Sequence, residues 1–168
     1  MFIPSIILLI MLTCVSGAAT VQTAFGENIS SAAVSRVEVV LAYPYRTREA
    51  EVKKEFLKAG LTNVHFQYAR MGQPPQNIGL GREVPADKAR EAIRLALKYN
   101  LGVSILLPER LFPPRFITIA SSNYDDTVEY PIDQATLAKL QDPGLTTEAF
   151  HRLYHDLTSA VIDPKGRY

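Results

Sequence analysis

The chain has 168 residues, 47% of them hydrophobic, with a formal net charge of +1 and one cysteine. That composition excludes an intrinsically disordered chain, and a lone cysteine excludes an internal disulfide framework. The small net charge hides an asymmetry: residues 36–115 carry 14 Lys/Arg against 8 Asp/Glu, whereas residues 116–168 carry 4 against 8. A basic front half suits an anionic partner. Solvated helix faces, or an acidic tail segment packed on the basic body, account for the same pattern.

In chain order, the first 26 residues hold no charged side chain. Ile3 to Val15 is almost wholly apolar, and Ser16, Gly17, Ala18 and Ala19 follow as small residues. This is the layout of a secretory signal peptide over residues 1–18, with cleavage after Ala18 or Ala19. No Lys or Arg precedes the core, so an N-terminal membrane anchor is the alternative. Thr20, Gln22 and Thr23 make the second half of the stretch polar for a span. Cys14 follows Met11, Leu12 and Thr13 rather than a lipobox, so it reads as apolar filler and leaves a cleaved chain without a thiol. Residues 19–35 are small and polar, a flexible lead-in. Residues 36–162 have the size of a single domain, with 163–168 as a tail.

Arg36 to Tyr43 is apolar on both sides and is expected to be an interior strand, ended by Pro44. Thr47 is placed as the N-cap of a helix with the stripe Val52, Phe56, Ala59 and a stop at Gly60. Asn63 to Arg70 alternates, Val64, Phe66 and Tyr68 against His65 and Gln67, as a half-buried strand does. Ile78 and Leu80 form a short strand before Gly81. Ala86 to Asn100 is the clearest helix, with Ala89, Ile93, Ala96 and Leu97 inward and Asp87, Glu91, Arg94 and Lys98 outward. Val103 to Leu107 and Arg115 to Ala120 are strands around a Pro108–Pro114 turn. Asp133 to Leu140 and Thr146 to Thr158 are helices around Asp142-Pro143-Gly144. The order β-α-β-(β)-α-β-β-α-α specifies a small α/β sandwich. A ferredoxin-like split βαβ with one extra strand and two C-terminal helices is the first expectation, and a three-layer sheet the second.

No motif for a cofactor or a metal stands out. Gly79-Leu80-Gly81 lacks the third glycine of a dinucleotide loop, and Pro85 removes an amide a phosphate would use, so the glycines read as easing a tight turn. His151 and His155 have the spacing of a helical zinc pair, but Arg152 stands where a zincin has Glu and spacing marks no third ligand. They read as boundary histidines beside the stripe Phe150, Tyr154, Leu157 and Val161. No Gly-x-Ser-x-Gly elbow is present. Glu83, Glu109, Asp125 and Asp126 are the carboxylates a small hydrolase would draw on, with no spacing that pairs them.

Tyr43, Tyr45, Arg46 and Arg48 cluster at the first strand-to-helix junction, and Tyr68 and Arg70 end the second strand. Aromatic faces beside cations bind sugars or nucleic acid strands by stacking and charge. Export favours an anionic glycan and disfavours nucleic acid. Core-edge packing is the plain structural role for the same tyrosines.

Residues 36–125, about half the chain, resemble the small extracytoplasmic C-terminal domain of LytR-type cell-wall proteins. The similar parts are Val37-Glu38-Val39, a helix ending Lys58-Ala59-Gly60, a glycine-containing short strand, an Ala-rich second helix and Ser121-Ser122-Asn123-Tyr124-Asp125. The pattern is also similar to SPOR-type peptidoglycan-binding modules. The resemblance implies an envelope binding module, not a catalyst, and transfers no functional residue. The catalytic domain of LytR-type proteins is absent here, and the C-terminal helices have no counterpart in them. An accessory subunit docking on an envelope protein through Leu153, Tyr154 and Leu157 is the second expectation.

Overall fold

The computed structural model describes residues 33–70, 72–124 and 131–159. The signal, most of the lead-in, Asp125, Asp126, Val161 and the tail lie outside the described residues. The elements follow the expected order: β1 (Arg36–Ala42), a 3-10 turn (Tyr43–Arg48), α1 (Glu49–Lys58), β2 (Val64–Ala69), β3 (Asn77–Leu80), α2 (Ala86–Tyr99), β4 (Ile105–Leu107), a second 3-10 turn (Glu109–Leu111), β5 (Phe116–Ile119), α3 (Gln134–Leu140) and α4 (Thr147–Ser159). Among the described residues, no helix is long and apolar enough to cross a membrane.

A single mixed sheet runs β2-β1-β5-β3-β4. β1 pairs parallel with both β2 and β5; β3 pairs parallel with β4 and antiparallel with β5. The small α/β sandwich is therefore as expected, but its connectivity is not a split βαβ. In a split unit another strand lies between the two that a helix joins, whereas here β1 lies beside β2 and β3 beside β4, with β5 at the seam. Side-chain periodicity specifies where strands and helices form, not which strand edges meet. The consequence is two βαβ units pointing opposite ways, whose strand C-termini open at opposite ends of the sheet.

Alternation puts Val37, Val39, Leu41, Ile78, Leu80, Ile117 and Ile119 on one face, all at most 1% exposed. That face meets Val52 and Phe56 of α1, the buried arc of α2, and Phe150 and Tyr154 of α4 in one core. On the opposite face Phe112 stacks on Phe116 at 6.0 Å and meets Tyr124 edge-on at 5.5 Å.

Local chemistry accounts for two helix ends and corrects one expectation. Thr47 does not cap α1; it sits inside the 3-10 turn and its hydroxyl donates to the Pro44 carbonyl at 3.2 Å. Pro44 lies at the start of that extra turn, so α1 begins one residue later than a Thr47 cap implies. At the far end Gly60 takes φ +76°, donating from its N–H to Leu57 O (2.9 Å) while Leu61 N–H reaches Phe56 O (3.0 Å). That is a Schellman closure, with Leu61 and Phe56 as its buried apolar pair. Asp133 caps α3 by accepting from Thr136 N–H at 2.8 Å.

Leu97 is 39% exposed instead of inward. The step Ala89, Ile93, Leu97 advances about 40° each time at 3.6 residues per turn, and the second step leaves the buried arc. Leu95, Ala92 and Tyr99 occupy that arc instead. The left-handed position after α2 falls to Leu101 (φ +59°), 69% exposed.

Gly79 and Gly81 do not serve turn geometry. A Cβ on Gly79 would strike the Phe112 ring and lie 2.9 Å from Thr118 Cγ2; one on Gly81 would strike the Pro113 carbonyl and lie 2.6 Å from that of Pro114. Both are small because other groups approach them closely.

Candidate functional site

The six residues singled out in the sequence all lie at or next to the C-terminal ends of β1 and β2, where parallel α/β units expose their connecting loops. The structure joins some of them and diverts others. Pro44 turns the chain into the Tyr43–Arg48 helix directly after β1, which leaves Tyr43 54% exposed. Arg46 Nη1 donates to Tyr43 Oη at 3.3 Å, and its guanidinium carbon sits 5.8 Å from the ring centroid. Among the described residues Arg46 makes no salt bridge. Tyr68 closes β2 and donates to Glu49 Oε2 at 2.7 Å. Burial first, then that bond and the Glu49 charge, push the Tyr68 hydroxyl up to about 12, against the opposing pull of Arg46. The phenol therefore remains a donor throughout the neutral range. Arg70 is exposed just past β2.

Tyr45 and Arg48 have other duties. Tyr45 packs edge-on against Tyr99 of α2 at 5.4 Å, the core-edge role open to any of these tyrosines. Arg48 forks onto Glu51 at 2.9 and 2.7 Å, and that bond holds the Glu51 carboxyl below its ordinary range. The candidate surface is thus Tyr43, Arg46, Tyr68 with Glu49, and Arg70.

This surface is open. A charged groove of about 720 Å³ lies elsewhere, lined by Glu55, Lys58, Arg90, Glu91 and Arg94, and takes in none of the six. Its charges are largely paired: Glu55 with Lys58 at 3.7 Å and with Lys98 beyond the groove at 3.1 Å, and Arg94 with Glu91 at 2.7 Å. A second groove of about 480 Å³, lined by Leu97, Leu101, Val103, Ile132 and Leu137, lies against the end of α2.

At the opposite end of the sheet, sequence reasoning missed a contact. His151 Nδ1 meets Glu109 Oε1, and His151 Nε2 meets the Val84 carbonyl at 2.7 Å. The two side chains are 13% and 14% exposed. Burial disfavours the charged ring, but the bonds to Glu109 and Val84 outweigh it and raise His151 above its ordinary value. The residues are 42 and 67 positions apart, so no spacing announces them. A histidine flanking an apolar stripe and a glutamate two residues past a buried strand were the only signals.

This pairing reassigns several sequence candidates. With both nitrogens engaged, His151 has no lone pair left to abstract a proton from a substrate. His155 is exposed, its Nε2 3.2 Å from Ser159 Oγ, so the helical histidine pair does not converge. Glu83 faces Arg115 at 3.3 Å and Glu109 is held by His151. Among the described residues no three His, Cys, Asp or Glu side chains are grouped to hold a metal ion.

The expected docking strip on α4 is not available. Tyr154 is fully buried and its hydroxyl is within bonding distance of the Leu107 (2.9 Å) and Ile78 (3.2 Å) carbonyls. Leu153 and Leu157 pack partly buried against the same core. Their helical spacing reads equally as a core stripe or a docking stripe.

No family model, no curated protein and no solved structure matches this chain.

Proposed function

We propose that this chain is an exported, non-enzymatic binding domain of a cell envelope, and that it holds an anionic glycan across the Tyr43–Arg46 edge. The observation that carries the proposal is Arg46 lying beside the exposed Tyr43 ring with no salt bridge among the described residues. A tyrosine ring offers a flat apolar face to the C–H side of a pyranose, while a guanidinium forks onto a carboxylate or phosphate. Arg70 and the Tyr68–Glu49 pair extend the surface along the end of β2. An open surface suits a segment of a polymer, whereas small ligands are usually enclosed. The basic balance of residues 36–115 and the resemblance to envelope modules support the same reading.

The test is retention in gels containing peptidoglycan, teichoic acid or a neutral glucan, at low and high salt. Retention by the anionic polymers is expected to weaken about 1.5- to 5-fold in Arg46→Ala, as the loss of one exposed ion pair implies. Added salt should reproduce the loss. Equal retention of wild type and Arg46→Ala would remove the site. Docking on an envelope protein through α4 loses its surface to the core, so the glycan reading is the one argued.

A further inference from the structure

We propose that His151, Glu109 and the Val84 carbonyl form a proton-dependent latch that fastens α4 to the C-terminal end of the second βαβ unit. The argument begins with valence. A neutral imidazole has one N–H and one lone pair, and here each nitrogen faces an oxygen: a carboxylate on Nδ1 and a carbonyl at 2.7 Å on Nε2. Two acceptors are satisfied only when both nitrogens carry hydrogen, or when the proton on the Nδ1 side rests on Glu109 instead. Either way the pair holds one proton more than a neutral histidine beside an ionised glutamate. Losing that proton aims a lone pair at an oxygen in a site where each side chain is at most 14% exposed.

The three groups come from three segments. Glu109 opens the turn after β4, Val84 lies in the β3–α2 loop, and His151 sits early in α4. The same end of the molecule is tied by Ala86 N–H to Thr147 Oγ1 at 3.3 Å. Among the described residues, Glu109 is the charged group that bonds the ring. On the surrounding elements Glu83 pairs with Arg115, Arg152 with Glu148, and Asp87 with Lys88. Arg90 donates to the Asp142 and Leu145 carbonyls, and His155 meets Ser159. Arg82, Arg110 and Asp156 are exposed and do not bond the ring.

The sign follows from the contacts. The folded chain holds the proton more tightly than the unfolded chain, so the latch is fully closed below the unfolded histidine value of about 6.5. It opens as pH rises through the higher folded value. His65 and His155 are exposed and serve as internal controls.

The test uses the protein in the form its native host makes, with amide exchange corrected for intrinsic pH dependence. Protection of α4 amides relative to β1 should fall about tenfold or more as the pair deprotonates, the size of a charge-assisted bond. Glu109→Gln and His151→Gln should abolish that slope, and His155→Gln should keep it. Imidazole nitrogen shifts of the wild type supply a readout that needs no variant. Proton loss from the pair should coincide with α4 loosening. A slope equal in wild type and Glu109→Gln, or His151 titrating with α4 protection unchanged, would overturn the proposal.

Discussion

Tyr154 is the residue whose loss tests most sharply whether α4 belongs to the core. Tyr154→Phe keeps the ring, which stacks 6.1 Å from Phe150, and removes only the hydroxyl within reach of the Leu107 and Ile78 carbonyls. Losing that donor should cost about 1–2 kcal/mol. Tyr154→Ala also empties a fully buried ring site, for about 3–5 kcal/mol in all. A domain of this size has a total stability of about 5–15 kcal/mol and shifts its melting point by roughly 3–5 °C per kcal/mol. Thermal melts should therefore show a drop of about 3–10 °C for Tyr154→Phe and about 9–25 °C for Tyr154→Ala. A chain truncated after Gly144 should show no cooperative transition, because the Phe150 and Tyr154 sites would then open to water. A truncated chain that melts cooperatively near the wild-type temperature, with Tyr154→Ala unchanged, would refute the reasoning and make α4 an appended helix.

Four further substitutions probe other packing arguments. Gly81→Ala should destabilise more than Gly79→Ala, since the first meets fixed backbone at Pro113 and Pro114 and the second meets the half-buried Phe112 side chain; denaturant midpoints of the two variants decide this. Gly60→Ala should cost about 1–2 kcal/mol in the same titration, the penalty of a Cβ at φ +76°. Leu101→Asn should hold or raise stability by up to about 1 kcal/mol, because Asn tolerates φ +59° better and Leu101 buries little. A clear loss at Leu101→Asn would mean that its side chain packs in a way its exposure does not show.

The order of elements was legible because each carries its own period. Val64, Phe66 and Tyr68 alternate, Val52, Phe56 and Ala59 repeat at helical spacing, and Gly60 stops its helix by the chemistry that names it. The buried strand Asn77–Leu80 was legible only as a short stretch. Four residues show little periodicity, and its interior place depends on Gly79 admitting Phe112 from a turn more than thirty positions away. Strand order was not legible, since β1 and β5 are neighbours only because the two βαβ units meet at a seam that no local pattern records. At the Tyr–Arg edge, sequence proximity placed Tyr43 beside Arg46. It could not show that Arg48 is held by Glu51 or that Tyr45 turns inward to Tyr99, because those partners are chosen by the local turn and by tertiary packing. The His151–Glu109 contact was hidden for the same reason, its members meeting only after α4 packs on the sheet.

The most direct test of the glycan proposal is amide chemical-shift mapping of the isotope-labelled protein during titration with a peptidoglycan fragment that bears a carboxylate. The account predicts shifts confined to residues 43–49 and 67–70, reduced by salt and absent in a Tyr43→Ala, Arg46→Ala double variant. Shifts centred instead on the Glu109–His151 end, or no shifts with this or any other anionic glycan, would contradict it.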